Sequence, residues 1–168
     1  SFNANDLWEY IPTDYVANPG IEISVRGMLG GPFMNAAQGM NDQLRTAGLI
    51  PLTEPYSALG YSHVNGGGET TTSAVLTASG TNAIVDWVVV ELRSTGNPST
   101  VLATRSALVQ RDGDVVDVDG TSPVTFNMAA GNYHIAIRHR NHLGCMSANA
   151  LALSPTPTTL DLTTPAAT

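Results

Sequence analysis

The chain predicts an all-β fold, an antiparallel two-sheet β-sandwich of about seven to nine strands, jelly-roll or immunoglobulin-like in outline. Three observations lead there. Sixteen Gly and ten Pro interrupt 168 residues, too often for long helices. Runs of β-branched and aliphatic residues recur between those breaks. Hydrophobic residues reach 42% against 12% charged, enough to fill one core with a surface of Thr, Ser, Asn and Gly.

Residues 1–20, SFNANDLWEYIPTDYVANPG, read as an extended arm ahead of a single domain at 21–168. The arm carries Phe2, Trp8, Tyr10 and Tyr15, four of the ten aromatic residues, and Pro12 and Pro19 exclude a helix. Its rings need burial, either along their own domain or on a neighbouring subunit. IEISVR then alternates Ile21, Ile23 and Val25 with Glu22, Ser24 and Arg26, the pattern of a half-buried strand. One short helix is expected near 36–47, closed by Gly48. Residues 49–69, with two Pro and the glycine triplet 66–68, read as a long loop packed on itself or offered as a contact surface. From Thr70 onward the pattern is strand after strand: 70–79, 83–94, 99–110, 122–128, 132–140, 149–154 and 158–162. The segment 83–93 is apolar on both faces, with Val85, Trp87 and Val89 on one and Ile84, Val88, Val90 and Leu92 on the other. It reads as a central strand.

A net charge of −7 argues against nucleic acid, which needs cations to displace phosphate counterions. All seven basic side chains apart from His are Arg; without Lys there is no isopeptide or Schiff-base chemistry. The lone Cys145 forms no internal disulfide and reads as a small core residue. No run approaches the ~20 apolar residues that span a bilayer. Ser1 in place of Met is what processing of a secreted precursor would leave.

The phrases LRTAGLIPLTEPYSALGY (44–61), AIVDWVVVELRSTGNPSTVLATRSALVQRDGDVVDVDG (83–120) and GNYHIAIRHRNHLG (131–144) resemble a module of secreted, surface-associated proteins of Bacteroidetes-type bacteria. The likeness covers residues 21–165. It implies an extracellular β-sandwich of the kind that precedes dockerin-like repeats, with no assigned catalytic activity.

The densest charge lies at RDGDVVDVDG. Asp112, Asp114, Asp117 and Asp119 form a D-x-D-x-x-D-x-D-G pattern that suits Ca²⁺, a hard ion taking six to eight oxygens. It is not an EF-hand: Val116 stands at the fifth position and the bidentate Glu is missing. The competing reading is a pair of solvated Asp-Gly turns. In RHRNHLG, His139 and His142 lack a third transition-metal ligand nearby, and Arg138 or Arg140 is expected to pair with Asp86, Glu91 or the acidic turn. Nucleophile elbows, zinc-protease motifs and phosphate loops are missing; GGGE at 66–69 lacks the Lys and helix of a phosphate cradle. A hydrolytic pair would have to come from Glu54, Glu69, Glu91 and the Asp set. The expected function is an extracellular or cell-surface structural protein, a calcium-stabilised subunit of a self-assembling homopolymer whose arm docks on its neighbour. The alternative is a carbohydrate-binding or adhesive module using Tyr56, Tyr61 and His63 against surface glycans.

Overall fold

The computed structural model describes residues 20–163. Within them the fold is all-β, as the sequence predicts. The strands are β1 (Ile21–Arg26), β2 (Phe33–Met34), β3 (Gly39–Met40), β4 (Ile84–Arg93), β5 (Val101–Gln110), β6 (Asp114–Val116), β7 (Val124–Phe126), β8 (Gly131–His139), β9 (His142–Met146), β10 (Leu151–Leu153) and β11 (Thr158–Asp161). Nine belong to one hydrogen-bonded sheet along the path β10-β8-β4-β5-β6-β1-β11, with β7 beside β1 and β9 beside β8; β2 and β3 form a separate ribbon. Pairing is antiparallel throughout the large sheet except between β1 and β11.

The sandwich arises because this sheet folds back on itself. Ile21, Ile23 and Val25 of β1 meet Val88, Val90 and Leu92 of β4 and Ile135 and Ile137 of β8 in one core. The two ends of the path also approach each other. The Ser154 carbonyl, between β10 and β11, accepts the Glu22 amide at 3.0 Å, and Thr158 Oγ1 donates to the Ala152 carbonyl at 3.1 Å.

Strand β4 lies between β8 and β5 and is buried over nine of its ten residues, the central position its two apolar faces require. Its face assignment differs from simple alternation at one end. The ladder slips between Ile84 and Asp86, so Val85 joins Val88, Val90 and Leu92 in the main core. Ile84 joins Trp87 and Val89 in a second cluster on the opposite face, with Ile50, Tyr56, Leu108 and Val116. A bulge adds a residue to one strand and exchanges the faces on either side of it.

The second cluster is roofed by the long segment between β3 and β4. Trp87 Nε1–H donates to the Pro51 carbonyl at 2.9 Å, and the Tyr56 hydroxyl donates to the Trp87 carbonyl at 2.7 Å. The segment therefore packs on its own domain. The expected helix is a single turn, α1 (Gln43–Thr46), followed by Gly48 at φ +67°, a left-handed closing residue. The first half of 36–47 instead enters the β2–β3 ribbon. Residues 70–79 are not a strand: Thr70 makes one bridge to Thr53, and Val75–Thr77 and Gly80–Asn82 are 3-10 turns. Their Thr side chains bond locally, as Thr77 Oγ1 does to the Ala74 carbonyl at 2.6 Å. Strand β9 was hidden in the sequence by the half-polar run HLGCM.

Candidate functional site

The four aspartates that stand out in the sequence do not converge. Asp112 and Asp114 lie at the β5–β6 turn, Asp117 and Asp119 beyond the other end of β6. Asp112 Oδ1 accepts the Asp114 amide at 3.2 Å. Asp119 closes the next turn, accepting the Thr121 and Ser122 amides, both at 2.9 Å, and the Ser122 hydroxyl at 2.5 Å. Burial alone would raise the Asp119 carboxyl, but these donors hold it below the ordinary carboxylate value. Asp117, nearly buried, accepts Arg105 Nη2–H at 2.8 Å, the Val118 amide at 2.7 Å and the Thr125 hydroxyl at 3.2 Å. The Asp114 carboxyl is raised, by burial and the nearby Asp112 and Asp161, against the pull of Arg26 at 3.9 Å. Among the described residues no three His, Cys, Asp or Glu side chains come close enough to share a metal ion. The four aspartates that the sequence groups into one site lie on two separate turns.

Carboxylates scattered in the sequence do converge. Asp86, 2% exposed on β4, receives both arms of Arg140, at 2.9 and 2.6 Å, the Trp87 amide at 2.8 Å and His139 Nε2 at 3.1 Å. Burial would raise the Asp86 carboxyl, but the bonds from His139 and Arg140 outweigh it and lower it. The hydrogen-bond pattern assigns the tautomers of the adjoining histidines. The Gly31 amide donates to His142 Nε2 at 3.0 Å, so that nitrogen is bare and Nδ1 carries the proton. His142 Nδ1–H then donates to His139 Nδ1 at 2.8 Å, leaving His139 Nε2–H to donate to Asp86. Burial first, and next the repulsion that a protonated His139 would exert, push the His142 value below its ordinary range.

A second buried group lies under the 49–82 segment. Glu91 on β4 accepts Arg93 Nε–H at 2.7 Å and the Tyr61 hydroxyl, with Arg138 3.9 Å away. Glu54, whose side chain is fully buried, accepts the amides of Tyr56 at 2.6 Å, Ser57 at 3.1 Å and Gly68 at 3.1 Å, and the Ser57 hydroxyl. The glycine triplet is thus an amide cradle, and the anion it holds belongs to the protein itself. Glu69 takes the Gly67 amide at 3.0 Å. Gly66 must be glycine, since a Cβ there would stand 2.1 Å from the Thr104 carbonyl oxygen.

The structure does bring Tyr56, Tyr61 and His63 together, with Tyr61 edge-on to His63 at 4.8 Å and to Tyr56 at 6.2 Å. Two of the three rings are not free to stack on sugar, and Tyr61 is half-buried. Tyr56 is 4% exposed, and His63 is buried with Nδ1 3.1 Å from Thr104 Oγ1. Three of the carboxylates open to hydrolysis, Glu54, Glu69 and Glu91, are engaged with amides, Arg or Tyr. Phe2, Trp8, Tyr10 and Tyr15 lie outside the described residues. Sequence reasoning expected an arginine partner for Asp86 but overlooked the histidines that complete the centre. Its signal was a charged residue inside the apolar run AIVDWVVVEL, which burial obliges to find a partner.

One cavity opens beside the Asp86 corner. It measures about 290 Å³ and lies among Leu29, Val88, Val109, Val115 and Ile137, with His139, His142 and Cys145 at its margin. Leu143 at its lip is 100% exposed. Burial raises the Cys145 thiol above its usual value, so it is no activated nucleophile.

Comparison with known proteins gives no match: no family model fits the chain, and no curated sequence or solved structure aligns with it.

Proposed function

We propose that this protein is an extracellular structural subunit that assembles with copies of itself through its aromatic N-terminal arm. The observation that carries this reading is the use of charge. All seven arginines stand within 4.0 Å of a carboxylate of the same chain. Cations that a binding or catalytic face would turn toward a ligand are instead bracing struts between strands and loops. Arg140 ties β8 to β4, Arg105 ties β5 to the β6–β7 turn, and Arg111 runs from the end of β5 to Asp42. A lysine-free chain with no internal disulfide relies on such struts and on its two apolar clusters for rigidity. The arm holds four of the ten aromatic residues in its first fifteen positions, a concentration of stacking area that suits a contact between subunits.

Calcium forms no part of this proposal, because Asp117 and Asp119 are already satisfied by Arg105 and by turn amides. The glycan-binding alternative loses support with the burial of Tyr56 and His63.

The test is electron microscopy with sedimentation of the full chain across a concentration series. Ordered polymers are expected. A variant with Phe2, Trp8, Tyr10 and Tyr15 all replaced by Ala should remain monomeric and unfold at the wild-type temperature. Polymers from that variant would remove the arm from the mechanism.

A further inference from the structure

We infer that the cavity between the 27–30 turn and strands β4, β5, β6, β8 and β9 is the socket for an aromatic side chain from the arm, residues 1–19, of a second copy of this chain. The inference rests on the assembly reading above and names the site where the contact forms.

The first argument is polarity. Segment 1–19 joins the sheet at Gly20, which is pinned against β7: a Cβ on Gly20 would lie 2.7 Å from the Phe126 carbonyl oxygen. Strand β1 then runs for six residues, about 20 Å, and leads directly into the Gly27–Gly30 turn that walls the cavity. The point where the arm is attached and the cavity therefore lie at opposite ends of one strand. A contact between arm and cavity joins unlike surfaces, and repetition of it without closure builds a filament.

The second argument is the lack of room beside β1 for its own arm. One edge of β1 is hydrogen-bonded to β11 over residues 23–26. The other is bonded to β7 over 21–23 and to β6 over 25–26. An arm folding back on its own subunit finds no open ladder along the strand that it continues.

The third argument is chemistry. The inner wall is aliphatic, from Leu29, Val88, Val109, Val115 and Ile137, and the polar groups stay at the rim. A dry apolar cavity of about 150 Å³ suffices for benzene, so 290 Å³ accommodates an indole or phenol ring with its stem. Trp and Tyr favour such rims, their apolar body entering while the N–H or O–H bonds at the edge. His139 and His142 are at that edge, and the fully exposed Leu143 adds apolar surface for the incoming chain. Nineteen residues reach roughly 60 Å when extended, ample to cross between adjacent subunits.

Cys145 lines the cavity and is the only cysteine, which gives a way to fill the socket in the full-length protein. The chain would be alkylated with N-phenylmaleimide; Cys145→Phe fills the same space by mutation, and Cys145→Ser serves as the unfilled control. Wild type and Cys145→Ser should polymerise, while the adduct and Cys145→Phe should remain monomers at 17.6 kDa. Mixing the adduct, whose arm is intact, with the four-alanine arm variant, whose socket is intact, should give one-to-one dimers of doubled mass and nothing larger. An adduct that polymerises like wild type overturns the socket and leaves arm-mediated assembly standing. A wild-type chain that stays monomeric throughout the concentration series overturns both.

Discussion

The acidic turn and the Asp86 corner use the same chemistry in opposite ways. Asp112, Asp114, Asp117 and Asp119 crowd into eight positions of sequence, yet β6 separates them into two turns where Asp112, Asp117 and Asp119 serve nearby amides or Arg105 and Asp114 faces Arg26. Asp86, His139, Arg140 and His142 come from two distant segments and close into one buried network. Density along the chain marks where the backbone must turn. Density in space marks where the protein spends its ion pairs.

The sharpest way to test this contrast is Arg140→Ala. It leaves the Asp86 carboxylate buried with only His139 and the Trp87 amide, and breaking such a pair costs roughly 3–5 kcal/mol. At this chain length that is a fall of roughly 10 °C in unfolding temperature, read by calorimetry. Asp86→Asn in the same background should recover part of the loss. A variant within a degree of wild type would make the corner an ordinary surface pair.

Acid should act on the corner next. The folded His142 binds a proton less readily than the unfolded chain does, so its contribution is present above the unfolded value of 6.5 and fades as the pH falls from there toward its lowered folded value. Asp86, lowered from 3.8, adds a further loss as the pH falls from that unfolded value toward its own lower folded value. Stability measured by urea titration should therefore fall in two stages, and His142→Gln should remove the first.

At the turns the effects should be smaller. Asp119→Ala removes a local cap, at a cost of about 1 kcal/mol, and its effect should add to that of Asp112→Ala because the two turns share no partner. Asp114→Asn relieves repulsion from Asp112 and Asp161. Its side chain is 58% exposed, so screening limits the gain to a few tenths of a kcal/mol. Unfolding curves in millimolar calcium and in EDTA should coincide. A shift of several degrees between them would mean that the aspartates rearrange around an ion and that the separation described above is not their working state.

The same contrast explains what could be read in advance. Strands β4, β5 and β8 announce themselves through long runs of Val, Ile and Leu, and the two apolar faces of β4 fix its central place. The Ile84–Asp86 slip escaped notice because counting by twos assumes an unbroken ladder. Residues 70–79 have the Thr and Val of a strand but no free edge to join, since 49–82 is committed to roofing Trp87. For the candidate site, a partnership of Arg138 or Arg140 with Asp86, Glu91 or the acidic turn is expected, and the structure selects Arg140 with Asp86 and Arg138 with Glu91. The histidine relay and the cavity depend on which turns meet at the end of β1, information carried by topology and not by any local pattern.

The single parallel pair has a kinetic consequence. Strand β1 is completed on one side by β11, its partner from the far end of the described chain, and on the other by β6 and β7. During synthesis the earliest strand must therefore wait, with its hydrogen-bonding groups unsatisfied, until nearly all of the domain has left the ribosome. Such long-range closure places folding on the order of milliseconds to seconds, in the slow class of β-rich topologies. Under the self-assembly proposed above, the chain passes through its most adhesive form before it is finished, and the rate at which β11 arrives decides whether the neighbour it meets is met in order.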